Sequence, residues 1–498
     1  MTILAIDAGT TGVTALLVSK DARVVAKANT EFPQHFPADG WVEHEPEEIW
    51  AATLTSLQTV LASDAVQEHG APTAVGITDQ RETIVLWDRS TLASPRNAIV
   101  WQDRRTAGDC EQLKADGHEK RISKLTGLRL DPYFSGTKLS WLARQEPEVW
   151  AGVESGATAI GTIDSYLIAR MTGGATHVTD ASNASRTLLF DIRKGCWSEE
   201  LCELFGVPIS ALPEVVPSWG QVGTTKPEEF CGLQIPIAGI AGDQQAALFG
   251  QACFTVGSSK CTYGTGSFVL VNTGDKVVRS DAGLLSTVAW KAPDGTLTYA
   301  LEGAIFVTGA AVQWLRDGLG IIKSASETQA IAESVPNSAG VVFVPALTGL
   351  GAPDWDPNAR GAIMGLTRGA TAAHIVRATL EAIAFEVRDV VDVMVGESHI
   401  PLPRLTVDGG AAANDFLCQL QADQVQVPVV RSEILETTGL GAAFLAGLGT
   451  GVWASMEELA ATWRSDRTFE PAERDQQAYR RWRVAVERTK NWANAVSV

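Results

Sequence analysis

The chain is 498 residues long, 45% apolar and 20% charged, with a formal net charge of −18. This length exceeds what one hydrophobic core supports, so two or three compact domains are expected. The acidic balance excludes the nucleic-acid and anionic-membrane binders that need a basic face, and it favours solubility.

Seven cysteines form no C-x-x-C pair and cannot all be bridged, a usage that suits reduced thiols in the cytoplasm. No basic leader precedes the first strand and no apolar run reaches membrane-span length, so neither secretion nor membrane insertion is expected.

In chain order, residues 3–6 (Ile-Leu-Ala-Ile), 15–18 (Ala-Leu-Leu-Val) and 23–26 (Arg-Val-Val-Ala) read as three short strands of a meander. A helix follows from Glu45-Pro46-Glu47, with early Pro, acids at its positive end, and Ile49, Trp50, Leu54 and Leu57 as its apolar stripe. Residues 74–77 supply a buried strand and complete a β-β-β-α-β order. After an Ala-rich helix over 244–251 the pattern restarts, with strands at 259–263 and 268–271 around a Gly/Thr turn. Later, a strand at 404–407 runs into Asp408-Gly409-Gly410-Ala411, with a helix beginning near Asn414. The halves share an architecture without clear sequence identity, giving expected domains 1–250 and 251–498. Residues 471–498 place Tyr479, Trp482, Val486 and Trp492 at near-helical spacing, a face expected to pack on a domain.

Three tight turns stand out: Asp7-Ala8-Gly9-Thr10-Thr11, Gly264-Thr265-Gly266 and Asp408-Gly409-Gly410. Gly and Thr leave backbone N–H groups unobstructed and add hydroxyl donors, as a polyphosphate requires. An acid such as Asp7 beside phosphate calls for a cation between them, so the pattern points to a Mg²⁺–nucleotide site. A single such turn is also an ordinary hairpin, and none fits a P-loop or a Rossmann fingerprint.

Longer segments carry a family resemblance: G-W-V-E-H at 40–44, G-I-T-D-Q-R-E-T at 76–83, N-A-I-V-W-Q at 97–102 and D-P-Y-F-S-G-T-K at 131–138. N-A-S-R-T at 183–187, G-I-A-G-D-Q-Q-A-A-L-F-G at 239–250 and T-G-L-G-A-P at 348–353 continue it. The chain resembles the sugar and polyol kinases of the FGGY family, from about residue 3 to about residue 448, and within it the members that phosphorylate glycerol. The resemblance implies an α/β fold of the two-domain actin/hexokinase (ribonuclease H-like) type with a central cleft, and an ATP- and Mg²⁺-dependent kinase that forms dimers or tetramers.

By that resemblance Arg81, Glu82, Tyr133, Asp243 and Gln244 hold glycerol, with Trp101 and Phe268 as the wall behind its carbons. Asp243 is the expected general base, at the start of a helix after Ala241-Gly242. Residue by residue, Arg81-Glu82 also reads as a surface ion pair and Asp243 as a helix N-cap, although Ala246 stands where a capping-box acid or amide is wanted. Asp7 acts with the metal; Thr10, Thr11, Gly12, Thr14, Thr265, Gly309, Gln313, Gly410 and Asn414 line the ATP site. Other readings are a kinase of erythritol, dihydroxyacetone or a pentulose, and a non-catalytic nucleotide-switched protein on the same fold.

The chain departs from the resemblance at Thr14, where a basic residue is usual, with Gly12-Val13 replacing a serine pair. Loss of one charge-assisted phosphate contact would cost about 1.5–3 kcal/mol unless Lys260 or another cation substitutes. Gln234 stands where members inhibited by fructose 1,6-bisphosphate carry Arg, so insensitivity to that effector is expected.

Overall fold

The computed structural model describes residues 1–495; residues 496–498, the end of the aromatic C-terminal segment, lie outside the described residues. Strands β1 (Thr2–Ala8), β2 (Gly12–Ser19) and β3 (Val24–Glu31) form the antiparallel meander the sequence predicts. β1 and β2 are buried on both faces, which is why they read as unbroken apolar runs, while the edge strand β3 alternates. Helix α1 (Pro46–Leu61) begins at its proline and buries Ile49, Trp50, Leu57 and Val60.

Strand β4 (Pro72–Asp79) lies parallel to β1; β5 (Trp219–Thr224) and β6 (Pro236–Gly242) extend the sheet to the order β5-β6-β4-β1-β2-β3. Helix α2 (Asp243–Gly250) leaves directly from β6.

The second half holds β7 (Ser259–Tyr263), β8 (Ser267–Gly274), β9 (Leu285–Lys291), β10 (Leu297–Ile305) and helices α3 (Gly309–Asp317) and α4 (Ala372–Ser398). It continues through β11 (Leu405–Asp408), α5 (Asp415–Val425), β12 (Val429–Ser432), α6 (Thr437–Gly449), β13 (Ser465–Phe469) and α7 (Gln476–Thr489). Its sheet runs β9-β10-β8-β7-β11-β12-β13. The β7–β8 hairpin with β11 parallel to β7 and β12 parallel to β11 reproduces the β1–β2 hairpin with β4 and β6. The shared architecture is therefore a shared topology, with β9 added at one edge.

Helices pack across the expected boundary at residue 250. Helix α6, from the second half, packs on β1, β4 and β6 of the first sheet, and α2 touches β7 of the second. The two helices cross between the sheets, and one apolar cluster joins Ile3, Leu16 and Phe249 to Leu270, Leu440 and Phe444.

The crossing demands glycine. A Cβ on Gly441 would stand 1.8 Å from the Ala246 carbonyl O, and one on Gly250 2.1 Å from that of Thr437. At the C-terminus, Trp482 and Val486 of α7 pack with Phe385 of α4 as expected, beside Tyr479. Trp492 departs from that face: it lies in a separate turn of helix and is 55% exposed, because α7 ends at Thr489.

Candidate active site

The first hairpin carries Asp7 at the end of β1 and Thr10-Thr11 in the turn. Side chains from outside the hairpin fix it: Trp101 Nε1 donates to Thr10 Oγ1 at 2.9 Å, Gln34 Nε2 to the Thr10 carbonyl at 2.8 Å, and Gln80 Nε2 to the Gly9 carbonyl at 3.0 Å. Thr11 stays exposed. Gly12 is buried, and a Cβ there would lie 2.9 Å from the Thr30 carbonyl O, so its glycine serves the β2–β3 pairing.

Among the described residues no hydrogen bond or ion pair reaches the Asp7 carboxylate. Burial, then the charge of Asp243, push it up to about 7, against a smaller pull from Lys27. Thr14 sits directly across from Asp7, its hydroxyl accepting from Asn29 Nδ2 at 2.9 Å.

Asp243 is the first residue of α2, and Gly242 holds the cap position, so the N-cap role is not taken by its side chain. Arg81 Nε meets Asp243 Oδ1 at 3.0 Å, and the Gln244 side chain donates to Oδ2 at 3.1 Å. Lys260, buried, in turn holds Gln244 Oε1 and donates to Thr262 Oγ1 at 2.8 Å. The Asp243 side chain remains 29% exposed, an accessible carboxylate among fixed neighbours.

Arg81 and Glu82 are both buried, which rules out a surface pair. They do not mainly satisfy each other either: their closest approach is 3.9 Å. Arg81 instead grips Glu302 through two nitrogens, at 2.5 and 3.1 Å, while Glu82 accepts from Arg186 Nε at 2.6 Å. Arg186 also reaches Glu302 at 3.0 Å, closing a quartet of two cations and two anions. Burial opposes ionisation of Glu302, but the Arg186 and Arg81 charges outweigh it and hold the carboxyl down to about 2. Burial raises Glu82, with the same arginines opposing.

Glu82 adopts φ +65°, a left-handed conformation that an L side chain occupies at a cost of about 1–2 kcal/mol. Around the quartet, Tyr133 Oη accepts from Arg81 at 3.4 Å, Trp101 stands edge-on to Tyr133 at 5.5 Å, and Phe268 faces the Arg81 guanidinium at 5.7 Å.

The second hairpin, Gly264-Thr265-Gly266, is capped by the start of α3: Gly309 N donates to the Gly264 carbonyl at 3.0 Å and Ala310 N to that of Thr265 at 3.1 Å. A Cβ on Gly309 would come within 2.6 Å of the Gly264 carbonyl O. Thr265, Gly309, Gln313, Gly410 and Asn414 all line one cavity of about 460 Å³. Asn414 caps α5, accepting from Leu417 N at 3.0 Å, and holds Thr328 at 3.1 Å. In the third turn, Asp408 Oδ2 accepts from Gln251 at 2.6 Å while its buried Oδ1 has no hydrogen-bond partner among the described residues.

The expected site residues thus fall into two neighbourhoods, one around Asp243 and one around the cavity. Sequence reasoning missed Glu302, 221 residues from Arg81, and it gave no role to Arg186, although N-A-S-R-T at 183–187 contains it. It also missed Thr328, Gln329 and Arg316 in the cavity wall. An acid within the otherwise apolar strand β10 was the available signal for Glu302.

Residues 2–250 match the model of the N-terminal domain of the FGGY family of carbohydrate kinases, and residues 259–450 that of its C-terminal domain. This chain belongs to the FGGY family of carbohydrate kinases.

Among known FGGY-type relatives, a glycerol kinase of Aromatoleum aromaticum is 54% identical, over 99% of both chains, and one of Symbiobacterium thermophilum 53%, again over 99% of each. The crystal structure of Plasmodium falciparum glycerol kinase with ADP superposes with a TM-score of 0.90 at 38% identity, covering 98% of each chain. The fold is accordingly the two-domain actin/hexokinase type.

Proposed function

We propose that this FGGY kinase transfers the γ-phosphoryl group of ATP to a terminal hydroxyl of glycerol. The observation that carries the reading is the Asp243 carboxylate, open to the cleft yet oriented from two sides by Arg81 and Gln244. Phosphoryl transfer needs an aligned hydroxyl and an acceptor for its proton more than covalent chemistry. Asp243 takes that proton, and Arg81 and Gln244 keep the accepting oxygen from turning away.

Arg81, Glu82, Tyr133 and Gln244 offer donors and acceptors to a triol, while Trp101 and Phe268 flank its carbons and leave little width for a larger sugar. Full-length relatives at 50–54% identity that bear the name glycerol kinase support this substrate over a longer polyol.

The glycine-lined cavity of about 460 Å³ suits a nucleoside, with Thr265, Gly309, Gln313, Gly410 and Asn414 around it and Thr10-Thr11 on the facing hairpin. An unpartnered, half-buried Asp7 raised to about 7 fits a divalent cation, which would neutralise both it and the phosphates; magnesium is the expected ion. Lys260 is bound to Gln244, so it orients the amide and is not available to replace a base at Thr14.

All seven cysteines are free, in keeping with a reducing cytoplasm, and none of the helices among the described residues is long and apolar enough to cross a membrane. A homo-oligomer is the expectation for its assembly, readable by sedimentation. The function is tested by ADP release from MgATP over glycerol, erythritol, dihydroxyacetone and a pentulose, with Asp243→Asn as control. Turnover on no member rejects a kinase; preference for the pentulose rejects glycerol.

A further inference from the structure

A triphosphate brings several negative charges to a cleft that already holds Asp7 and Asp243. The first hairpin, residues 7–14, contains no cation to balance them. Nearby cations are committed: Arg81 to Glu302 and Asp243, Arg186 to Glu82 and Glu302, and Lys260 to Gln244 and Thr262.

The strand register shows where a solvated, exchangeable one lies. Asp7 of β1 pairs with Thr14 of β2, and Thr14 with Asn29 of β3, so these residues form one cross-strand row on one face of the sheet. The next row on that face is Ala5, Leu16 and Lys27. The start of α6 covers the same face: a Cβ on Gly439 would stand 2.3 Å from Leu16 Cδ1 and 4.0 Å from Asp7 Cβ. Lys27 reaches toward this point and pairs with Glu436, the residue just before α6.

Their side chains are 44% and 39% exposed, so the pair is solvated and exchangeable. The Lys27 charge also pulls weakly against the upward shift of Asp7, in keeping with that placement.

We infer that Lys27 supplies, from the neighbouring strand, the positive charge that nucleotide phosphates need beside Asp7 and that Thr14 cannot provide, with Glu436 holding its ammonium until nucleotide arrives. The inference rests on the kinase reading above and names a residue for it. Lysine suits this role because a point charge on a flexible four-carbon stem can leave one carboxylate for a phosphate without a fixed geometry.

The test is calorimetric titration of MgATP and MgADP into the full-length protein and its variants at two salt concentrations. Lys27→Met should weaken MgATP binding about 5- to 30-fold, flatten the salt dependence and leave glycerol affinity unchanged. Lys27→Arg should restore affinity, and Thr14→Arg placed in the Lys27→Met background should recover most of the loss.

Glu436→Gln separates this role from a structural salt bridge. Freed from its carboxylate, Lys27 should bind MgATP about 2- to 5-fold more tightly, opposite in sign to Lys27→Met. Unchanged MgATP binding in Lys27→Met, or weakening in both variants, overturns the inference while a turning-over wild type leaves the kinase reading intact. A wild type that neither binds MgATP nor releases ADP overturns both.

Discussion

Asp243 and the quartet behind it illustrate two different uses of charge. Asp243 keeps access to the cleft, and Arg81 retains Glu302 when the Asp243 carboxylate is replaced: Asp243→Asn is expected to lower kcat by about 10²–10⁴-fold, with the MgATP dissociation constant within a few-fold of wild type. Retention of full turnover in steady-state assays would exclude it as the base. Glu302, by contrast, is fully buried between two arginines. Glu302→Gln leaves a net positive charge in the interior and should cost about 3–5 kcal/mol of stability, measured by urea denaturation; a cost below about 1 kcal/mol would mean water or backbone relaxation meets the arginines' needs.

At the scale of elements, the crossing of α2 and α6 decides how the two sheets sit. Both helices are rich in Ala and Gly, and their backbones approach so closely that Gly441 has its neighbour's carbonyl where a side chain would begin. Gly441→Ala must push the helices apart and should destabilise the protein by about 3 kcal/mol or more, seen as a large drop in Tm. Gly410 provides the contrast: nothing lies within 4 Å of a Cβ there, yet it lines the cavity of about 460 Å³ proposed for the nucleotide. Gly410→Ala should therefore keep its Tm and raise KM for ATP, and an unchanged KM would place the nucleotide elsewhere.

At the scale of the whole molecule, α2 touches strands of both sheets, and closure of one half on the other would exclude water from Asp243. Burial also ties the molecule to pH. His44 is fully buried, and that burial first, then the charge of His35, bring it from 6.5 down to about 4. Because the unfolded chain binds this proton and the folded chain does not, His44 contributes stability above about pH 6.5 that is lost as pH falls toward 4, on the order of 3 kcal/mol. Asp164, raised by burial to about 6, works in the opposite direction, stabilising the fold as pH falls. His44→Gln should therefore flatten the difference in unfolding free energy between pH 7 and pH 4.5, measured by denaturant titration; an unaltered slope would mean His44 titrates in the folded protein.

The sequence by itself determined the strands, the turns and the start of α2, because their signals are local: β1 and β2 are apolar over four residues or more, Gly and Thr mark the reversals, and Pro46 opens α1. It also showed that Asp7, Asp243 and Gly410 sit at strand or helix ends, where backbone donors and carboxylates can face a ligand. Only the tertiary structure decided their company. Arg81 finds Glu302 and Glu82 finds Arg186 because one strand and two loops from distant parts of the chain converge, and no periodicity records that. Thr14 is the clearest case: in the sequence it marks a missing charge, whereas in the folded sheet its row stands beside Lys27, a neighbour set by strand register and the approach of α6.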